Sequence, residues 1–119
     1  MEITVEKVME MIVEAGFYVS QESETVYTIE GYTPAGGDMS AEIDSEEDVW
    51  KFIDNLRSYA FDFDVSQEVY MWLDSEGHGK NGAPYDMKDA YEDIAWWPDA
   101  LEELANDLER EVKKLEKNA

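Results

Sequence analysis

The chain has 119 residues, with 30 Asp and Glu against 9 Lys and Arg, and a formal net charge of −21. At 44% hydrophobic and 13% aromatic residues it can still bury a core, so the acidity is not that of a disordered tail. Direct binding of nucleic acid or of an anionic membrane is disfavoured, because both need Lys and Arg to meet phosphate. Without cysteine there can be no disulfide, thiolate metal site or cysteine nucleophile.

The length fits one acidic domain over residues 1–119, fraying over its last few positions. No segment approaches the roughly 18 apolar residues of a membrane span. The opening MEITVEKVMEMIVEAG, with an acid every few positions, does not read as a secretory signal. Charge is uneven along the chain: residues 1–109 hold 28 acids and 5 bases, the last ten residues 2 and 4.

In chain order, Val5, Val8, Met9, Ile12 and Val13 make one stripe of an amphipathic helix, with Gly16 placed for a left-handed C-terminal cap. Residues 17–22, 25–32 and 38–43 are rich in Tyr, Val, Thr and Ile and read as strands. Ser23-Glu24 is a short turn, and Thr33-Pro34-Ala35-Gly36-Gly37 a longer one. Ser45 is the expected N-cap of a helix to about residue 61, with Glu46, Glu47 and Asp48 in its first turn. Its core stripe is Val49, Trp50, Phe52, Ile53, Leu56, Tyr59 and Ala60.

Asp64 with Gln67 resembles a capping box opening a short helix through Val65, Val69, Trp72 and Leu73. Residues 75–85 read as a loop, Asp86 as the cap of a helix to about Trp96, and Pro98 as the start of a separate final helix. That helix carries the stripe Leu101, Leu104, Ala105, Leu108, Val112 and Leu115. The order predicts an α+β domain: a three-stranded antiparallel sheet with an N-terminal helix and several C-terminal helices packed on it.

Signals for enzyme chemistry are weak. His78 is the only histidine, and a triad with Ser75 or Asp74 needs geometry that spacing does not supply. GHGKNG lacks the P-loop spacing. Asp62, Asp64 and Glu68 fail the EF-hand pattern, with Gln67 at the glycine position and Leu73 at the closing glutamate. No catalytic residue, cofactor or metal is therefore expected. Trp50 and Trp72 lie on core stripes. Of Trp96 and Trp97, neighbours on a helix, one is expected to stay half exposed as an anchor for a partner, unless the turn at Pro98 lets both pack inside.

The acids fall in ladders. Glu2, Glu6, Glu10 and Glu14 are four residues apart; Asp99, Glu102, Glu103 and Asp107 follow i, i+3, i+4, i+8; Asp89, Glu92 and Asp93 form a third group and Asp54 joins the middle region. Helical neighbours at i, i+4 lie about 5–6 Å apart and repel when alike. A surface shaped only for solubility would mix both signs. The expectation is a rigid anionic surface that imitates duplex nucleic acid and occupies a basic groove. The bland alternative is a solvated acidic face, as on proteins of salt-loving organisms; 18 Glu against 12 Asp and abundant aromatics argue against it.

Three segments, TPAGGDMS (33–40), SYAFDFDVSQEVYMWLD (58–74) and DALEELANDLE (99–109), resemble those of small acidic proteins from phages, prophages and conjugative elements of Firmicutes. In that set a TPAGEDF-like turn, a YADDFD-like segment, an EHVEMW-like helix and a LEELAD-like helix follow in order. Here Phe61 stands where an acid is expected, and Gly37-Asp38-Met39 stands for Glu-Asp-Phe. The resemblance implies a mobile-element origin, in neighbourhoods that also encode anti-restriction and anti-CRISPR proteins, some of them acidic DNA mimics. It supplies no catalytic residue.

The expected function is inhibition of a bacterial defence nuclease, a CRISPR effector or restriction enzyme, in the cytoplasm of the host cell. Glu46, Glu47, Asp48, Asp62, Asp64, Glu68, Asp74 and Glu76 are the expected contacts, being grouped around helix starts and a loop. The alternative is an interaction module that binds a basic protein without competing with DNA. Self-association through Leu101, Leu104, Leu108 and Leu115 is a related expectation.

Overall fold

The computed structural model describes residues 3–76 and 87–117, the side chains of 72–76 and 87 excepted. Within these, α1 (Val5–Glu14) leads into strands β1 (Tyr18–Gln21), β2 (Val26–Tyr32) and β3 (Asp38–Asp44), followed by α2 (Val49–Asp62), α3 (Val65–Glu76) and α4 (Met87–Lys117). The α+β architecture expected from the sequence is present.

α1 starts where the Thr4 hydroxyl accepts from Lys7 N–H at 3.2 Å. It stops in a Schellman arrangement, with Gly16 N–H donating to Val13 O at 3.0 Å and Phe17 N–H to Ile12 O at 3.3 Å. Gly16 has φ +103°, which a residue with a Cβ adopts only at a cost. Of the apolar stripe, Val8 and Ile12 are fully buried and Val5 and Met9 pack against the core, but Val13 at the stripe's edge is 55% exposed.

The sheet is an antiparallel meander in the order β1-β2-β3. Its register pairs Val19 with Ile29 and Ile29 with Ala41, and also pairs Tyr27 with Ile43. Tyr27, Ile29, Ala41 and Ile43 are buried on one face, while Ser20, Thr28 and Glu42 share register positions on the other. The helices cover the apolar face. Gly31 leaves room for Trp97: a Cβ there would lie 2.9 Å from the indole and 3.3 Å from the Phe17 ring.

The β2–β3 loop forms where the sequence places it, and Asp93 of α4 clamps it. Asp93 accepts from the Thr33 hydroxyl at 2.6 Å and from Ala35 N–H at 2.9 Å, and the same hydroxyl accepts from Gly37 N–H at 2.8 Å. Asp93 is thus an internal anchor rather than part of an exposed ladder.

Three helix boundaries differ from the sequence expectation. α2 is capped by Asp48, which accepts from Lys51 N–H at 3.0 Å, and not by Ser45. Glu46, Glu47 and Asp48 therefore precede the helix. α3 runs through Ser75 and Glu76, which were expected in the loop. Pro98 does not restart the chain; it lies inside one helix, α4. The ring deprives the Ile94 carbonyl of its usual donor, yet Ala90, Ile94, Trp97, Leu101, Leu104, Leu108 and Val112 are buried on both sides of it. Continuous burial of that stripe outweighs the local breaker. The expected cap Asp86 lies outside the described residues.

The main core joins α1, the sheet, α2 and α4. Trp97 is fully buried, 6.0 Å from the partly buried Trp96 ring, so both rings pack inward to different depths. Among the described residues the indole Nε1 of Trp97 meets no acceptor in hydrogen-bonding geometry. The nearby Tyr59 hydroxyl, whose pKa Trp97 lowers against the larger effect of burial, donates to Ser40 O at 3.2 Å. Leu101, Leu104 and Leu108 are buried in this core, so the leucine stripe offers no free face for self-association; only Leu115 is exposed. A smaller cluster of Val69, Ala90 and Ile94 seats α3 on α4.

Candidate functional site

The link from β3 to α2 holds the non-glycine residues that adopt positive φ among the described residues. Ser45 is buried; its N–H donates to Thr25 O at 2.7 Å and its carbonyl accepts from Asp48 N–H at 3.0 Å. Between them Glu46 and Glu47 have φ of 52° and 56°, the sign pattern of a type I′ turn. Left-handed backbone costs a residue with a Cβ about 1–2 kcal/mol. Side chains offset it: Asp44 Oδ1 accepts from Glu46 N–H at 2.8 Å, and Ser45 Oγ accepts from Glu47 N–H at 3.2 Å. The Glu46 carboxylate is fixed as well, by Asn55 Nδ2 at 2.8 Å and Lys51 Nζ at 3.9 Å. Asn55 also bonds the Asp44 carbonyl at 2.8 Å.

This turn forms one wall of a groove of about 570 Å³, closed by the start of α1, by β2 and by the end of α4. Glu6, Glu24, Glu47, Asp48 and Glu116 supply five carboxylates, and among the described residues no Lys or Arg lines it. Tyr27, Trp50 and Val112 give it an apolar lining. Trp50 is half-buried, and its indole N–H donates to Glu116 Oε2 at 3.2 Å, tying α2 to the last turns of α4.

Tyr27 is 4% exposed, and its hydroxyl forms no hydrogen bond among the described residues. It is nevertheless not one of the sealed, unbonded polar atoms, so its remaining exposure opens on the grooves it lines. Burial, and secondarily the charge of Glu6, raise its pKa above the usual tyrosine value. The arrangement offers several acceptors around flat apolar surface. Among the described residues no three or more His, Cys, Asp or Glu side chains converge to hold a metal ion.

The expected contact residues divide between the two ends of α2. A helix of 14 residues rises about 20 Å. Glu46, Glu47 and Asp48 lie at its start. At its far end Asp62 is exposed, and Asp64 caps α3 by accepting from Gln67 N–H at 3.0 Å. Glu68 is half-buried there. Its charge raises the pKa of Tyr59, after burial, the largest cause, and against the lowering effect of Trp97. Asp74 and Glu76 stand on the last turn of α3, where their side chains lie outside the described residues, as do Trp72 and His78. Phe61, at the same end, is 88% exposed.

The ladders separate into paired and unpaired groups. On α1, Glu10 pairs with Lys7 at 3.6 Å, Glu6 lines the groove, and Glu2 lies outside the described residues. On α4, Asp107 pairs with Arg110 at 2.6 Å, Glu109 with Arg57 and Lys113 at 3.5 Å each, and Glu111 with Lys114 at 3.7 Å. By contrast Asp54, Asp62, Glu92, Asp99, Glu102 and Glu103 make no ion pair or hydrogen bond among the described residues.

Sequence reasoning missed Tyr27, Glu24 and Glu116 as groove residues and took Trp50 as plain core. No local spacing could reveal them, because Trp50 and Glu116 meet across 66 positions. Among the described residues no helix is long and apolar enough to cross a membrane. Comparisons of the chain with protein-family models, with curated proteins and with solved structures find no match in any of the three.

Proposed function

We propose that the protein is a non-enzymatic inhibitor that presents carboxylates to the basic DNA-binding groove of a bacterial defence nuclease, a CRISPR effector or a restriction enzyme. The observation that carries this reading is the set of helix-borne acids, Asp54, Asp62, Glu92, Asp99, Glu102 and Glu103, left without a cation partner among the described residues. Asp99, Glu102 and Glu103 repel one another at i, i+3 and i+4 at a cost of a few tenths of a kcal/mol each. A cationic partner would relieve that repulsion. The shape is compatible with the role: extents of 53 × 26 × 22 Å give a long axis of about 16 base-pair steps at 3.4 Å. Opposite fields would make association fast and salt-sensitive. The likeness of residues 33–40, 58–74 and 99–109 to small acidic proteins of mobile elements favours the same reading.

The test is displacement of a labelled duplex oligonucleotide from such nucleases, at low and at physiological salt. Displacement that weakens with salt is expected. Changing Asp54, Asp62 and Glu102 together to Lys should abolish it while leaving the fold intact, because none of the three is bonded within the described structure. No displacement at any salt concentration sinks the proposal. The concave acidic groove favours a second reading, an interaction module for a basic protein. That module would bind its partner without displacing DNA.

A further inference from the structure

The two outer edges of the sheet are finished differently. The order β1-β2-β3 leaves β1 and β3 each with one unpaired side. Glu22 N–H donates to Val26 O, and Ser45 N–H to Thr25 O. Antiparallel ladders alternate every two residues, so these bonds fix which backbone groups face β2. Those of Val19 and Gln21 on β1, and of Ser40 and Asp44 on β3, face away from it. On β3 that outer side is covered by α2: the Tyr59 hydroxyl donates to Ser40 O at 3.2 Å, and Asn55 Nδ2 to Asp44 O at 2.8 Å. Asp38, Glu42 and Asp44 also charge that strand, a further guard of an edge. β1, with the uncharged sequence YVSQ, has neither protection. Among the described residues no hydrogen bond reaches the outward N–H and C=O of Val19 and Gln21.

An open groove of about 600 Å³ lies beside this bare edge, between α1 and the sheet. Met9 and Val13 of α1, Val19 of β1 and Tyr27 of β2 give it an apolar lining, which accounts for the exposed Val13 at the edge of the α1 stripe. An unpaired strand beside an apolar trough is suited to strand addition, in which main-chain bonds hold the incoming chain and the trough takes its alternate side chains. Charge selects the occupant. Glu6, Glu10 and Glu14 line the groove, Glu22 and Glu30 lie on the opposite face beside β1, and among the described residues no Lys or Arg lines the groove. We propose that the outer edge of β1 takes up an extended segment of a basic protein partner as a fourth strand. Its apolar side chains enter the groove over Met9, Val13 and Val19, and its cations meet the carboxylates on either face. A second copy of this chain is disfavoured by a net charge of −21 on each. The basic character of the segment rests on the reading of the protein as the ligand of a basic partner, which the mimic and the interaction module share.

The test titrates the ¹⁵N-labelled full chain, at physiological salt, with a peptide that alternates Lys and Val and carries Lys pairs at both ends. The control is the same peptide N-methylated at alternate residues, which keeps its charge and loses its strand donors. The unmethylated peptide should bind at least about tenfold more tightly, the worth of one or two backbone hydrogen bonds. It should protect the amides of Val19 and Gln21 from hydrogen exchange. Gln21→Pro should weaken binding about tenfold and leave the urea midpoint in place, because proline is tolerated where a strand N–H faces outward. Val13→Ser, on an exposed side chain, should weaken it about fivefold. Equal affinity for the two peptides, unprotected Val19 and Gln21 amides, or unchanged affinity in both variants overturns the proposal. So does a dimer of the free protein that the peptide breaks apart, which makes a second copy the occupant. Nuclease displacement separates the edge from mimicry. Displacement without peptide binding overturns the edge and leaves mimicry standing. Peptide binding without displacement supports the edge and removes mimicry.

Discussion

The two ends of α2 carry the same chemistry in opposite states of order. At its start, Glu46 and Glu47 sit on left-handed backbone, and Asn55, Lys51, Asp44 and Ser45 hold the turn and the Glu46 carboxylate in place beside a concave groove. At its end, Asp62 and Phe61 are exposed, and Asp64 caps α3. Acid content alone does not distinguish these ends. What distinguishes them is how much conformational entropy has already been removed. A carboxylate held before binding loses less on association than one that must be ordered by its partner. The start of α2 is therefore suited to specific contacts, the far end to long-range attraction.

The comparison can be broken at the shaft. Leu56 is fully buried midway along α2, and Leu56→Ala should destabilise the protein by about 2–5 kcal/mol, read by urea unfolding, with function lost at both ends. The caps come next. Asp48→Ala and Asp64→Ala should each cost about 1 kcal/mol. Only Asp48→Ala should also weaken displacement of oligonucleotide from the nuclease at physiological salt; equal effects on displacement would erase the distinction between the ends. Glu47→Gly should act in the opposite direction on stability. Relief of left-handed strain against the greater freedom of glycine when unfolded leaves a gain of about 0.5 kcal/mol, with weaker displacement. A loss of stability would show that the turn is not strained.

The smallest effect is alkaline. Tyr27, at the groove, and Tyr59, which feels Glu68 beyond the far end, both have raised pKa values, with burial the leading cause. Above about pH 10, the ordinary tyrosine value, the unfolded chain releases these protons before the folded one. Their contribution is thus complete below that pH and is lost as pH rises toward the folded values. Unfolding midpoints should fall only above about pH 10, and Tyr27→Phe should blunt the fall by removing one of the two groups.

Much of the fold was legible because its signals are local. The Val8–Ile12 spacing, Gly16 after it, the β-rich runs and Asp64 three residues before Gln67 each act through neighbours within one or two turns of chain. The errors arose where a local rule met a longer one. Pro98 is a breaker by itself, yet a buried stripe from Ala90 to Val112 carries the helix through it. Ser45 is a good cap by type, but its burial against Thr25 moves that task to Asp48. The groove was illegible, because Glu6, Tyr27, Glu47, Trp50 and Glu116 come from separate elements.

By itself, the order of residues determined the helices and strands, the apolar face of each, and a large excess of negative charge. These depend on side-chain type and on periods of two or 3.6 residues, so neighbours suffice. Only the tertiary structure decided which acid became a clamp, a cap, an ion-pair partner or an open charge. Asp93 meets Thr33 across 60 positions and Glu116 meets Trp50 across 66. Such meetings follow from how the helices pack on the sheet, because electrostatic and hydrogen-bond partners are chosen by distance in space and not by distance along the chain.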